Sequence, residues 1–192
     1  MGGSYLADSA AFVIQTLFGL YILAVMLRFI FQLVRAPFHN PISQFLVTVT
    51  NPLLKPLRRV VPGLMGIDLA AVLLMLALQM IEIILVAALY GTVPGVGGLV
   101  LISIGKLLQM AVYIFMFALF ARIILGWVNP HLYNHATVLL SSLTDFMMLP
   151  ARRIIPPAGM LDLSPIVLFL LLGLILRLVV QPLLDFGAGI SY

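Results

Sequence analysis

Charge is what this sequence has least of. Only 8% of its 192 residues are charged and 64% are hydrophobic, where a soluble domain carries about 25% charged residues. So few charges cannot clothe a water-facing surface, which excludes a soluble protein and points to an integral membrane protein. Cysteine is absent, which excludes disulfides and thiolate metal sites and says nothing of redox compartment. Met1–Ala10 holds no Lys or Arg. It therefore lacks the basic region of a cleavable signal peptide, and the first hydrophobic stretch is expected to stay as a span. No nucleophile has a plausible neighbouring base, and no basic patch is large enough for nucleic acid. Neither an enzyme nor a nucleic-acid partner is expected.

What is abundant is apolar sequence in long runs. A span needs roughly 20 apolar residues. Four stretches qualify: Ala10 to Val34, Ile67 to Tyr90, Leu99 to Gly126 and Leu163 to Leu183. Residues 40–63 between the first two are too broken by proline to cross. There Ile42, Phe45, Leu46 and Val49 mark one face of a helix, with Asn40 as cap and Pro41 in its first turn. Asn134, with Ala136, Leu139, Leu140 and Leu143, repeats the design. Both are read as short amphipathic helices on the membrane surface. A loop packed on the bundle is the alternative.

The chain is written twice. KPLRRVVPGLMGIDL (55–69) and LPARRIIPPAGMLDL (149–163) share Pro, Arg-Arg, Pro and Asp-Leu at an offset of 94. The same offset carries Gln15 to Gln109, Arg28 to Arg122, Asn40 to Asn134 and Thr50 to Thr144 without a gap. Residues 1–94 and 95–192 thus form two repeats of span, surface helix, basic turn, span. Because each unit crosses twice, both point the same way, as a parallel repeat. Eight of the ten Lys and Arg residues fall on one side: Arg28, Arg35, Lys55, Arg58, Arg59, Arg122, Arg152 and Arg153. That side is expected to be cytoplasmic and both termini periplasmic.

The doubled pattern, TNPLLKPLRRVVPGLMGIDL and TDFMMLPARRIIPPAGMLDLSP with an Arg late in the preceding span, resembles the YggT family of small bacterial inner-membrane proteins. The resemblance covers nearly the whole chain. Asn51 departs from it where an acid is common, whereas Asp145 keeps the acid. Met147 and Met148 replace a Leu pair, and Leu33 stands where the second copy has Trp127. The resemblance implies an all-α membrane protein with no known enzymatic activity. It also implies association with osmotic stress tolerance and, in relatives, with membrane-protein or organelle biogenesis.

Asp68 and Asp162 each open a span and suit a helix N-terminus. Capping does not explain the Arg pairs upstream. Arg58, Arg59, Arg152 and Arg153 can sit among anionic lipid headgroups as topology signals, or fold back onto the two Asp residues. Arg28 and Arg122 can join such a network or snorkel. Glu82 lies 14 residues after Asp68 and Arg177 lies 15 after Asp162, which puts both about 21–22 Å along parallel helices. Lys106 lies roughly 24 Å, and Gln15 and Gln109 near 20 Å, from their arginines. A lone charge in lipid costs at least about 2.5–3.5 kcal/mol. Glu82 is therefore expected to pair with Arg177, with Lys106 as a further member unless it reaches the outer headgroups. The band serves either as an ion path or as glue between spans.

His131 and His135 have metal-like spacing, but too few other ligands exist for a site. GTVPGVGG (91–98) lacks the context of a phosphate loop, and Trp127 reads as an interfacial anchor. No cofactor or metal is expected. The expected function is a membrane scaffold or assembly factor, with a membrane-protein partner or a second copy. The alternative is a channel or transporter subunit.

Overall fold

The computed structural model describes residues 2–63, 66–128, 134–154, 162 and 164–191. Among them lie seven α-helices, one π-helical turn and no strand. Helix α1 (Gly2–Leu33) is followed by α2 (Pro41–Val60) and α3 (Leu69–Leu89); α4 (Val96–Val128), α5 (His135–Ile154) and α6 (Ser164–Ile175) follow in the second half. A π turn at Leu176–Val180 then leads into α7 (Gln181–Gly189). Four helical stretches are long and apolar enough to cross a bilayer: Tyr5–Leu33, Leu69–Leu89, Val96–Gly126 and Ser164–Gly189. They are apolar all round, so most of their surface, Leu17, Phe117 and Leu170 included, remains exposed for lipid.

The last span runs past the predicted Leu183 through a widened turn. Pro182 has no N–H and its ring crowds the carbonyl four residues back. The helix answers by loosening ahead of it: the Gln181 N–H bonds to the Leu176 carbonyl, five residues back. Arg177 lies on this turn, exposed.

The two halves pack alike. Helix α1 lies along α3 and is crossed by α2; α4 lies along α6 and α7 and is crossed by α5. The halves meet where α3 packs on α4, with smaller contacts of α5 with α1 and α2. The Asn40 side chain donates to the His135 carbonyl at 2.6 Å across this junction. Among the described residues neither α1 nor α3 touches the last span. The main core joins Ile22, Val25, Leu54, Ala70 and Ala71 of the first half to Ile114 and Leu139 of the second.

Caps and turns follow local chemistry. Asn40 accepts from the Ile42 N–H at 3.0 Å, with Pro41 at the start of α2. Helix α2 buries Ser43, Leu46, Thr50 and Leu54 and leaves Ile42 and Phe45 exposed. Of the predicted apolar face, Leu46 packs on the bundle while Ile42 and Phe45 stay outside it. Helices α1 and α3 end in the same hydrogen-bonded turn, Ala36 N–H to Phe31 and Arg35 N–H to Gln32, then Thr92 N–H to Ala87 and Gly91 N–H to Ala88. The left-handed residue is Gly91 in one, at φ +69°, but Arg35 in the other, at φ +54°. A side chain there costs about 1–2 kcal/mol. At the far end Tyr90 donates to Asp8 at 2.7 Å, fastening α3 to α1.

Helices α4 and α7 approach closely through small residues. A Cβ on Gly98 would come within 2.5 Å of the Gly187 carbonyl oxygen. Gly98→Ala is expected to destabilise the protein by about 1–3 kcal/mol through overpacking, read as a lowered unfolding midpoint in detergent, whereas Gly126→Ala, which meets open space within α4, does not lower it and gains up to about 1 kcal/mol of helix propensity.

Candidate functional site

At the arginine-bearing end, each first span is clasped to its crossing helix. The Arg28 Nη1 donates to Thr50 Oγ1 at 2.6 Å, Asn51 Oδ1 at 3.0 Å and the Val47 carbonyl at 3.4 Å. Arg122 Nη1 donates to Thr144 Oγ1, and to Asp145 Oδ1 at 2.6 Å. Both threonines are buried, and each gives its own proton to the carbonyl four residues back. The hydroxyl oxygen is thereby left facing the guanidinium as an acceptor.

A second bridge closes each turn. Arg58 donates from Nε (3.1 Å) and Nη2 to Asp68 Oδ2, while Asp68 Oδ1 accepts the Ala71 N–H at 3.3 Å. Arg152 holds Asp162 from Nε at 2.8 Å and Nη2 at 2.7 Å, and Asp162 Oδ1 accepts the Ser164 N–H at 3.0 Å. One carboxylate thus caps a span and anchors the preceding helix. No ion pair among the described residues crosses between repeats at this end. Only the first Arg of each doublet takes part; Arg59 and Arg153 are exposed. Burial alone would raise the Asp162 carboxyl, but hydrogen bonds from Ser164 and Arg152 outweigh it and hold it below 3.8.

The charges deeper in the spans pair differently from the sequence expectation. Glu82 is buried and accepts from Lys106 Nζ at 3.2 Å and from Gln79 Nε2 at 2.7 Å. It does not meet Arg177, because α4 stands between α3 and the last span. Equal depth along two parallel helices is no guide to adjacency when a third helix separates them. Gln79 escaped the sequence reading, although its place one turn before Glu82 on the same face was the available signal.

Gln15, Gln79, Glu82, Lys106 and Gln109 line one cleft of about 910 Å³ between α1, α3 and α4. Its remaining walls are apolar, with Leu23, Phe31 and Ile114 among them, and it reaches α5 at Leu139 and Leu143. Among the described residues no group of three His, Cys, Asp or Glu could hold a metal. Asn134 caps α5 by accepting the Thr137 N–H at 2.9 Å; His135 is exposed. His131 and the Trp127 side chain lie outside the described residues.

Two halves fastened by the same clasp and the same bridge, at one offset, come from one duplicated module. Its apolar helices make the product a multi-pass membrane protein. The family model described as CCB3/YggT matches residues 7–89 and again residues 101–183, and the chain belongs to that family. It is similar to an uncharacterised protein of Pseudomonas aeruginosa, 46% identical over 182 residues, covering 93% of this chain and 91% of that one. A Vibrio alginolyticus protein is 40% identical over 166 residues, covering 85% and 89%. YggT of Escherichia coli K12 is 33% identical over 168 residues, covering 88% and 87%. No solved structure matches the chain.

Charge exchange tests the pairing. Glu82→Gln is expected to cost about 1–3 kcal/mol by stranding Lys106, and Glu82→Lys with Lys106→Glu to recover at least half of the loss. Arg177→Gln leaves the unfolding midpoint unmoved. If Arg177→Gln matches Glu82→Gln, the assignment fails.

Acid titration tests the bridge. A carboxyl lowered by folding adds stability that is present above its unfolded value and lost as pH falls through its folded one. The unfolding midpoint should therefore drop as pH falls below about 4, and Asp162→Asn should flatten that drop.

Proposed function

We propose that this chain is a non-catalytic inner-membrane protein acting as a scaffold or assembly factor in membrane or osmotic homeostasis. The supporting observation is the state of its charges. Glu82, Asp68, Asp145 and Asp162 are each engaged by a cation of the same chain. These ion pairs bind helix to helix, as a scaffold requires. The wide cleft beside them is mostly apolar, and Gln15 and Thr16 on its rim are exposed. A partner transmembrane helix bearing one polar side chain suits it: the apolar wall packs against the helix, and the amides answer the polar group.

The basic end belongs on the cytoplasmic side, with both termini outside, by the placement of Lys and Arg. Helices α2 and α5 then lie along the inner leaflet. Their exposed Phe45, Leu53, Phe146 and Leu149 meet acyl chains, and Arg59 and Arg153 meet anionic headgroups.

One observation favours a second reading, an ion or solute path through an oligomer: Gln15, Gln79, Glu82, Lys106 and Gln109 line one continuous cleft within the spans. Liposome reconstitution separates the two. The scaffold reading expects no ion flux above protein-free vesicles and, in cells, a photo-crosslinker at Thr16 that captures a discrete membrane protein. A specific conductance abolished by Glu82→Gln overturns it in favour of transport.

A further inference from the structure

The two arginine collars do not carry the same charge. In the second half Arg122 meets the carboxylate of Asp145 and Arg152 meets Asp162, so each of these two cations has its own carboxylate. In the first half Arg58 meets Asp68, but Arg28 has only neutral partners, because Asn51 stands where the second half has Asp145. Arg35 adds another cation where the second half has Asn129. Three guanidiniums thus share one carboxylate.

They also share a space. Arg28, Arg35 and Arg58, with Gln32 and Ser43, line a pocket of about 400 Å³ at the inner end of α1. Arg28 is 9% exposed, and its hydrogen bonds all leave from Nη1. No sealed side-chain nitrogen among the described residues lacks a partner. Nε and Nη2 of Arg28, which make no bond, are therefore not sealed off, and Arg28 lines the pocket. A buried cation answered only by neutral groups is poorly compensated. Arg35 holds a left-handed backbone where the matching turn of α3 uses Gly91. Strain kept at a pocket wall points to a use for the side chain.

We propose that this pocket binds a phosphate ester. A tetrahedral oxyanion takes charge-assisted bonds from several guanidinium forks at once and supplies the negative charge that Asn51 withholds. The pocket lies level with the arginine doublets, where headgroup phosphates would sit, so the ester belongs to an anionic phospholipid or to a soluble phosphate. The site stands whether the chain is a scaffold or a transport element.

The test uses the purified full chain and two variants that leave the Arg28 clasp in place. Asn51→Asp installs the counter-ion of the second half. Arg35→Gly removes one cation and relieves the left-handed turn. Arg153→Gln, an exposed position, controls for net charge. Inorganic phosphate is titrated against chloride at equal ionic strength, following the unfolding midpoint. Nanodiscs of phosphatidylcholine with or without phosphatidylglycerol are compared by native mass spectrometry for retained lipid. The wild type and Arg153→Gln should bind one probe, and Asn51→Asp and Arg35→Gly should bind it about tenfold more weakly. Arg35→Gly should do so while its ligand-free unfolding midpoint rises. Retention of phosphatidylglycerol alone assigns a lipid; saturable stabilisation by phosphate alone assigns a soluble ester. If neither probe binds, or if Asn51→Asp and Arg35→Gly bind as the wild type does, the site is overturned.

Discussion

Hydrocarbon offers an ion no solvent, so each charge carried into the bilayer must be met by another part of the same chain or carried out to its edge. That constraint organises this molecule. Arg28 and Arg122 are met by hydroxyl, amide and carboxylate groups on the crossing helices, which fixes those helices to the spans. Glu82 is met by Lys106 and Gln79, which fixes one half to the other. Arg177 alone among the deep charges is exposed, on a turn already loosened by Pro182, and its long side chain can carry the head toward the nearer interface.

Duplication explains the common fastenings, and divergence explains what differs. The threonine under each arginine survives in both halves, because a hydroxyl that donates along its own helix is the acceptor the guanidinium needs. The residue beside it has diverged, Asn51 in one half and Asp145 in the other, and that single change alters the electrostatics of a whole collar. The Glu82–Lys106 pair has no counterpart: the same offset gives Leu176 and Phe12. It sits where α3 meets α4, and the last span and α1 form no matching contact. A pair whose purpose is to join two units is needed only at the junction.

Most of the fold was legible because its signals are local. Apolar run lengths mark the spans, Asn40 and Asn134 mark helix starts, and an unbroken offset marks the duplication. The collar was half legible: the Arg and Asp positions stood out, but only three dimensions show that Arg58 closes on Asp68 while Arg59 faces outward. The partner of Glu82 was not legible, since depth follows from counting residues whereas neighbours follow from how spans are ordered around the bundle. The cleft and the basic pocket are properties of packing and left no trace in periodicity. The face of α2 that packs on the bundle was not legible, because Ser43 and Thr50, small and polar, pack inward while Ile42 and Phe45 of the apolar face stay out.

Two polar fastenings on α1 also act as a gauge. Asp8, held by Tyr90, and Arg28, held by Thr50, are 20 residues apart, about 30 Å of helix. That equals the hydrocarbon thickness of a typical bilayer. Tilting α1 to suit a thinner membrane shortens the projected distance only if α2 and α3 tilt with it, because both fastenings tie α1 to its neighbours. The first repeat is matched as a block to one bilayer thickness, and mismatch in either direction is borne by the surrounding lipid.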